Sequence, residues 1–257
     1  NEEFDIAQCL WSIAKQTVAP DEVIVVDNNS SDNSVKIAKK FKFVRVIHEP
    51  NQGIAYARNA GFDAAKSQII GRIDADSRLS PSWVSAVKRY YSFETNLATG
   101  VSGQGYFYNT IWPKFAGKIQ HSFAFKYNKL ILGNYILWGS NMAVPKYLWD
   151  IVKSDTCFQR NIHEDIDLAI HLSRMGFQIN HRKSMVVGVK MKRVMNDRSS
   201  LWSNLMMWPR TFWMHHYQLW FLAGFGAIFL YIMSFPVRLT DYFRIYALNK
   251  PKRTRNF

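Results

Sequence analysis

The chain has 257 residues, 48% hydrophobic and 15% aromatic, ample for a sizeable core. Its net charge of +14 is uneven: residues 1–177 carry 20 Lys and Arg against 17 Asp and Glu, and residues 178–257 carry 13 against 2. Two cysteines, Cys9 and Cys157, are too few for a disulfide framework and match no metal-site spacing, so a reducing compartment is expected.

Asn1 to Gln16 reads as a helix, with Ala7, Leu10, Trp11 and Ala14 on one stripe. The opening carries no secretory leader pattern, and the start reads as clipped ahead of a first strand. EVIVVD predicts a buried strand ending at Asp27, followed by the loop Asn28 to Ser31 and a helix over 33–40. A strand over 43–47, the loop EPNQG and a helix over 54–65 follow. An apolar run, Ile69, Ile70 and Ile73, then predicts a strand running to Asp74. Short strands alternating with helices indicate a parallel α/β sheet.

Further helices are predicted after Pro81, around Phe115 to Tyr127, from Pro145, and from Glu164 to Gly176. Strands are predicted over 98–108, at WGSNMAVP and over 184–189. Arg198 to Met214 is amphipathic and Trp-rich. The charge-free run Thr211 to Val237 comes next, with a 19-residue apolar heart from Leu219. A spanning helix needs about 20 such residues. Trp202, Trp208, Trp213 and Trp220 sit where an interfacial belt would lie, which favours a membrane over nucleic acid as the partner of the basic third. Both flanks are basic, so spanning, interfacial and buried readings of the run all stay open.

Three acidic features bear on chemistry. Asp74 and Asp76 are separated by Ala75, and on an extended chain both would point to one side at a strand's C-terminal end, where open α/β sheets bind ligands. Their repulsion would be relieved by a divalent cation; a solvated loop is the plainer reading. Glu164, Asp165 and Asp167 open a helix, where capping and general-base roles are both open. DNNSSD follows a strand and is either a nucleotide-side loop or an ordinary turn and cap. Trp138, before Gly139, Ser140 and Asn141, is a stacking platform or a core aromatic. His163 reads as a surface or capping residue, and His215 and His216 as interfacial residues rather than a metal pair.

The order of these motifs is more informative than any one of them. A strand ending DNNSSD, then NQGIAYARNAG, a strand ending DAD, then WGSNMAV and HEDIDL together resemble the family 2 glycosyltransferases, from about Asn1 to Val189. The resemblance implies a GT-A type, mostly parallel sheet flanked by helices. It divides the chain into a glycosyltransferase domain, 1–190, and a basic membrane-associated region, 191–257, with an apolar helix at about 212–237.

It further implies inverting, metal-dependent transfer of one sugar from a nucleotide-diphosphate sugar, a UDP-sugar foremost, to a hydroxyl acceptor. That acceptor would be a lipid-linked or envelope glycan at the cytoplasmic face of the membrane. Asp27 and Asn28 would meet the nucleobase, and Arg58 with Asn59 would help close the donor site. Asp74 would approach the ribose or a metal-bound water, and Asp76 would ligate Mn²⁺ or Mg²⁺. Asp165, with Glu164 beside it, would be the general base. Trp138, Gly139, Ser140 and Asn141 would face the acceptor, and Arg193 or Arg198 would add a cation near the leaving group. Asn28 stands where many members have Asp, which loosens the base assignment. Arg78 departs from the polyprenyl-phosphate mannosyltransferases, and RSSLW only echoes the processive synthases' signature. A sugar nucleotidyltransferase of similar fold and an inactive sugar-nucleotide binder are the alternatives.

Overall fold

A computed structural model of the chain describes residues 1–109, 117, 122–190 and 198–248. Strand β1 (Val23–Asp27) and strand β2 (Val44–His48) pair in parallel, from Val23 opposite Val44 to Asp27 opposite His48. Helix α1 (Ile6–Ala14) is shorter than its periodicity suggests. It buries Ile6 and Leu10 against Ala38 at the end of helix α2 (Ser34–Ala38), giving this sheet a small core of its own. Helix α3 (Ile54–Ala64) then leads to strand β3 (Ile69–Arg72), the edge of a second sheet.

That sheet also takes in β4 (Arg78–Leu79), β5 (Thr99–Phe107), β6 (Met142–Pro145) and β7 (Gln178–Val189), in the order β3-β6-β5-β7-β4. β5 and β7 run parallel, whereas β3–β6, β5–β6 and β4–β7 run antiparallel. The expected α/β fold with helices flanking the sheet is present, with its strands divided between a parallel pair and a larger sheet of mixed direction. Alternation of strands with helices predicts crossovers, but β6 and β4 enter through turns and reverse direction.

Helices α4 (Trp83–Tyr91) and α5 (Glu94–Leu97) cover one face, where Trp83, Val84, Val87 and Tyr91 pack on Val101, Met185 and Val187. Opposite lie α6 (Asn128–Leu132), α7 (Lys146–Val152) and α8 (Glu164–Arg174), with Trp149, Leu168 and Ile170 at the centre of the largest core. The helix predicted around Phe115 to Tyr127 falls partly outside the described residues; Ser122–Tyr127 forms a π-helical turn leading into α6.

The C-terminal third is built into the same core. Helix α9 (Arg198–Met214) contributes Trp208 and Phe212, and helix α10 (Trp220–Leu248) contributes Ala223 and Ala227. The apolar helix expected at about 212–237 is thus two helices. α9 stops at Met214, His216 takes a left-handed φ of 58°, and α10 restarts at Trp220 and continues through Pro236. Small residues, Ala223, Gly226 and Ala227, let α10 approach α9; a Cβ on Gly226 would meet the Trp208 ring at 2.8 Å. Its other face leaves Phe221, Phe225, Ile232 and Phe235 exposed. Trp220–Thr240 is long and apolar enough to cross a membrane by length and composition. Arg193 lies outside the described residues, as does the side chain of Arg198.

Because Phe212 is completely buried among core residues such as Trp149 and Leu168, Phe212→Ala should cost about 3–5 kcal/mol. The urea unfolding midpoint of the purified protein should fall as one transition. A variant with the wild-type midpoint would contradict this shared core.

Candidate active site

Residues 68–76 deliver the first carboxylates, though not by strand alternation. β3 ends at Arg72, and Asp74 and Asp76 sit in the following turn, which the Ser77 N–H closes onto the Asp74 carbonyl at 3.0 Å. Ile73 and Asp74 thus stand outside the strand predicted for them. Both aspartates line one cleft of about 1080 Å³ together with Arg72, Trp138, Glu164 and Asp165. Ser140 Oγ donates to Asp74 Oδ2, and the Tyr108 hydroxyl donates to the Asp76 carbonyl at 3.0 Å. Burial raises the Asp74 carboxyl above its ordinary range, and Asp76 adds to the shift against the pull of Arg72 and Ser140.

The second pair comes from α8, whose first turn holds Glu164, Asp165 and Asp167 at the positive end of the helix dipole. Arg72 Nη2 meets Glu164 Oε1 at 2.6 Å, and Arg58 Nη1 donates to the Glu164 carbonyl. Adjacent carboxyls here titrate in opposite directions. Burial works against ionisation of Glu164, yet Arg72 and Arg58 outweigh it and hold Glu164 below its usual value. Burial and then the Glu164 charge push Asp165 up. Asp165 is held at both oxygens, by the Gly139 N–H at 2.8 Å and by the Ile166 N–H at 2.9 Å. Gly139 is required here by space: a Cβ would stand 2.9 Å from the Arg72 guanidinium. Glu164 is therefore committed to an ion pair, and Asp165 is the oriented carboxyl with the raised proton affinity.

The structure separates the other predicted residues. Asn141, expected on the acceptor side, is completely buried. It accepts from Trp83 Nε1 at 2.7 Å and donates to the carbonyls of Gln104 and Met185 at 3.0 and 2.9 Å. It spans the irregularity in the β5–β7 ladder after Gly103, so its amide serves the sheet. Trp138 is half-buried between the two large cores yet borders the cleft, so neither expected reading holds alone. Gly139 and Ser140 line the cleft themselves, each donating to one of its carboxylates.

Arg58 is buried beneath Glu164, stacked over Trp149 at 5.4 Å, with Nε on Asn59 Oδ1 at 2.9 Å; it acts one layer behind the cleft. Burial and Arg72 lower it to about 10. At the end of β1, Asp27 accepts from the Ser30 N–H and pairs with His48 at 3.2 Å. Asn28 bonds the carbonyls of Glu49 and Asn51 and the N–H of Gly53. It thereby shapes the loop whose residues 52–55 border the cleft. Arg78 stacks on Tyr108 at 3.9 Å.

Sequence reasoning missed Arg72 and the whole wall contributed by α9, where Leu201, Asn204, Leu205 and Trp208 face the cleft. The one signal for Arg72 was a charge placed inside an apolar run. His163 stands at the N-cap position of α8 without a side-chain capping bond; its N–H donates to Thr211 Oγ1 at 2.9 Å and Nε2 is 3.1 Å from the Asn204 carbonyl, so α9 is docked at the mouth of the site. His215, expected at an interface, is instead buried, with Nε2 2.8 Å from Asp167 Oδ1.

Residues 1–150 match the sequence profile described as "Glycosyl transferase family 2". The chain is 36% identical over 101 residues to EpsH of Bacillus subtilis (strain 168), covering 38% of this chain and 29% of that protein. It is 34% identical over 97 residues to the chondroitin synthase of Pasteurella multocida (strain Pm70), covering 36% of this chain and 10% of that one. The aligned regions thus span less than a third of either relative. In fold it is similar to S. aureus TarS 1–349 in complex with UDP-GlcNAc, with a TM-score of 0.56, 15% identity, and coverage of 80% of this chain and 63% of that one. The chain belongs to glycosyltransferase family 2.

Proposed function

We propose that the protein is an inverting glycosyltransferase that moves a single sugar from a nucleotide-diphosphate sugar, a UDP-sugar foremost, to a hydroxyl of a lipid-linked or envelope glycan. The observation that carries this reading is the meeting of Asp74 and Asp76 with an oriented, proton-seeking Asp165 in one cleft. Family membership and the fold shared with a UDP-GlcNAc-bound relative support it.

In this reading the acceptor hydroxyl donates to a remaining lone pair of Asp165. Asp165 takes that proton as the oxygen attacks the anomeric carbon from the face opposite the leaving group. The bond to the nucleoside diphosphate breaks in the same displacement, which inverts the anomeric centre. Glu164 positions: through Arg72 it fixes the start of α8 against the end of β3. The hard carboxylate oxygens of Asp74 and Asp76 suit Mn²⁺ or Mg²⁺, and burial of Asp74 beside Asp76 gives a cation something to neutralise. Such a cation, when bound, supplies charge neutralisation for the departing diphosphate. Asp27 and Asn28 do not line the cleft themselves; in this reading they hold the nucleobase side by bracing the loops next to it.

The reading extends to the membrane. The exposed face of α10, Phe221, Phe225, Ile232 and Phe235, is proposed to enter the cytoplasmic leaflet, with the basic C-terminal third near anionic headgroups.

Asp165→Asn should lower kcat at least about a hundredfold while donor binding persists. Radiolabelled sugar transfer and equilibrium binding of the UDP-sugar measure the two, and wild-type turnover in this variant would remove the base assignment. Since Asp165 works ionised and its pKa is raised, activity should fade on acidification at a pH above the ordinary aspartate value of about 3.9. A pH–rate profile of kcat/KM reads this limb directly. Asp76→Ala should abolish the dependence of donor binding on Mn²⁺, seen as a lost Tm rise with UDP-sugar and Mn²⁺ together. An unchanged rise would place the cation elsewhere.

A further inference from the structure

A second ligand set lies outside the cleft. We propose that Cys157, Asp167, His171 and His215 bind a zinc-class divalent cation that fastens the end of α9 to α8. Their ligand atoms, one sulfur, one carboxylate oxygen and two imidazole nitrogens, all lie within 4.8 Å of one another. Asp167 and His171 are four residues apart on α8 and share a face. Asp167 Oδ1 is 2.8 Å from His215 Nε2 and 3.4 Å from His171 Nε2, and the two imidazole rings meet edge-on at 5.1 Å. Cys157, in the loop before α8, donates its N–H to Asp167 Oδ2 at 3.0 Å, which brings its side chain to the same point.

Burial and chemistry both favour a cation. Asp167 is completely buried and His215 nearly so. His171 Nε2 is buried without a well-formed hydrogen bond among the described residues. One thiolate and one carboxylate balance a dication, and two neutral imidazoles complete a four-coordinate shell. Tetrahedral Zn²⁺ with bonds of about 2.0–2.3 Å sets its ligands ~3.3–3.8 Å apart, so the cluster closes with shifts of about an ångström. A mixed sulfur, nitrogen and oxygen set selects Zn²⁺ over Mg²⁺ or Mn²⁺, which prefer oxygen alone.

Arg174 donates to the His215 carbonyl and lies 3.4 Å from Nδ1. With Nε2 on the metal, Nδ1 carries the ring proton, so Arg174 Nη1 would turn from Nδ1 while Nη2 keeps the carbonyl it already holds. None of the four ligands lines the cleft, so this site is distinct from the Asp74 and Asp76 pair. It would pin the α9 wall two residues beyond Asp165.

The full-length protein, loaded with Zn²⁺ and washed, should retain about one equivalent by elemental analysis and gain roughly 5–10 °C in Tm at saturation over the chelated form. With Co²⁺ instead, it should show a thiolate-to-metal charge-transfer band and the intense visible bands of a tetrahedral site. Cys157→Ser should remove the charge-transfer band, and His171→Ala should weaken Zn²⁺ binding at least about tenfold. Asp76→Ala should leave both signals intact. The proposal is overturned if wild-type protein retains no Zn²⁺, if its Co²⁺ form lacks the thiolate band, or if that band persists in Cys157→Ser. The wild-type spectrum decides even where a variant fails to fold, and none of these readouts depends on sugar transfer.

Discussion

The buried ion pair between Arg72 and Glu164 is the constraint on which the cleft depends. It joins the last residue of β3 to the first residue of α8; Asp74 and Asp76 follow in the turn after β3, and Asp165 is the next residue of α8. Removing one partner of such a pair typically costs about 3–5 kcal/mol, because the other charge is left buried alone. Here the loss would also be geometric, since Gly139 packs on the Arg72 guanidinium and its N–H orients Asp165. Arg58 adds a second cation from below, bonded to the Glu164 carbonyl and stacked on Trp149, which ties the charged layer to the largest core.

The same ion pair divides labour between neighbours. Glu164 is held ionised by two guanidinium groups, and burial together with the Glu164 charge raises the proton affinity of Asp165. Two carboxylates one residue apart thereby acquire opposite tendencies, a pattern that separates a positioning group from a proton acceptor.

Through α9, the C-terminal third supplies both a wall of the cleft and part of its supporting core. Trp208 and Phe212 are buried with Trp149 and Leu168, while Asn204 and Thr211 hold the α8 cap at His163. The turn at His215 to Leu219 then redirects the chain, so that α10 presents small residues inward and large aromatics outward. The exposed apolar face of α10 and the α9 wall of the cleft consequently belong to one pair of packed helices.

The sequence by itself determined the elements and the family. β-Branched runs, apolar periodicity and the order of five motifs located β1, β2, α3, α8 and α9 to within a few residues, because those signals are local. It also singled out Asp74, Asp76 and Asp165. Tertiary structure decided the rest, because partner choice is not encoded in spacing. It set the antiparallel entry of β6, the withdrawal of Asn141 into the sheet, the commitment of Glu164 to Arg72 and the break that splits the apolar run. Asp167, His171 and His215 show the difference plainly. Forty-eight residues separate the first from the last, and only packing of α9 on α8 brings the imidazole of His215 to 2.8 Å from Asp167.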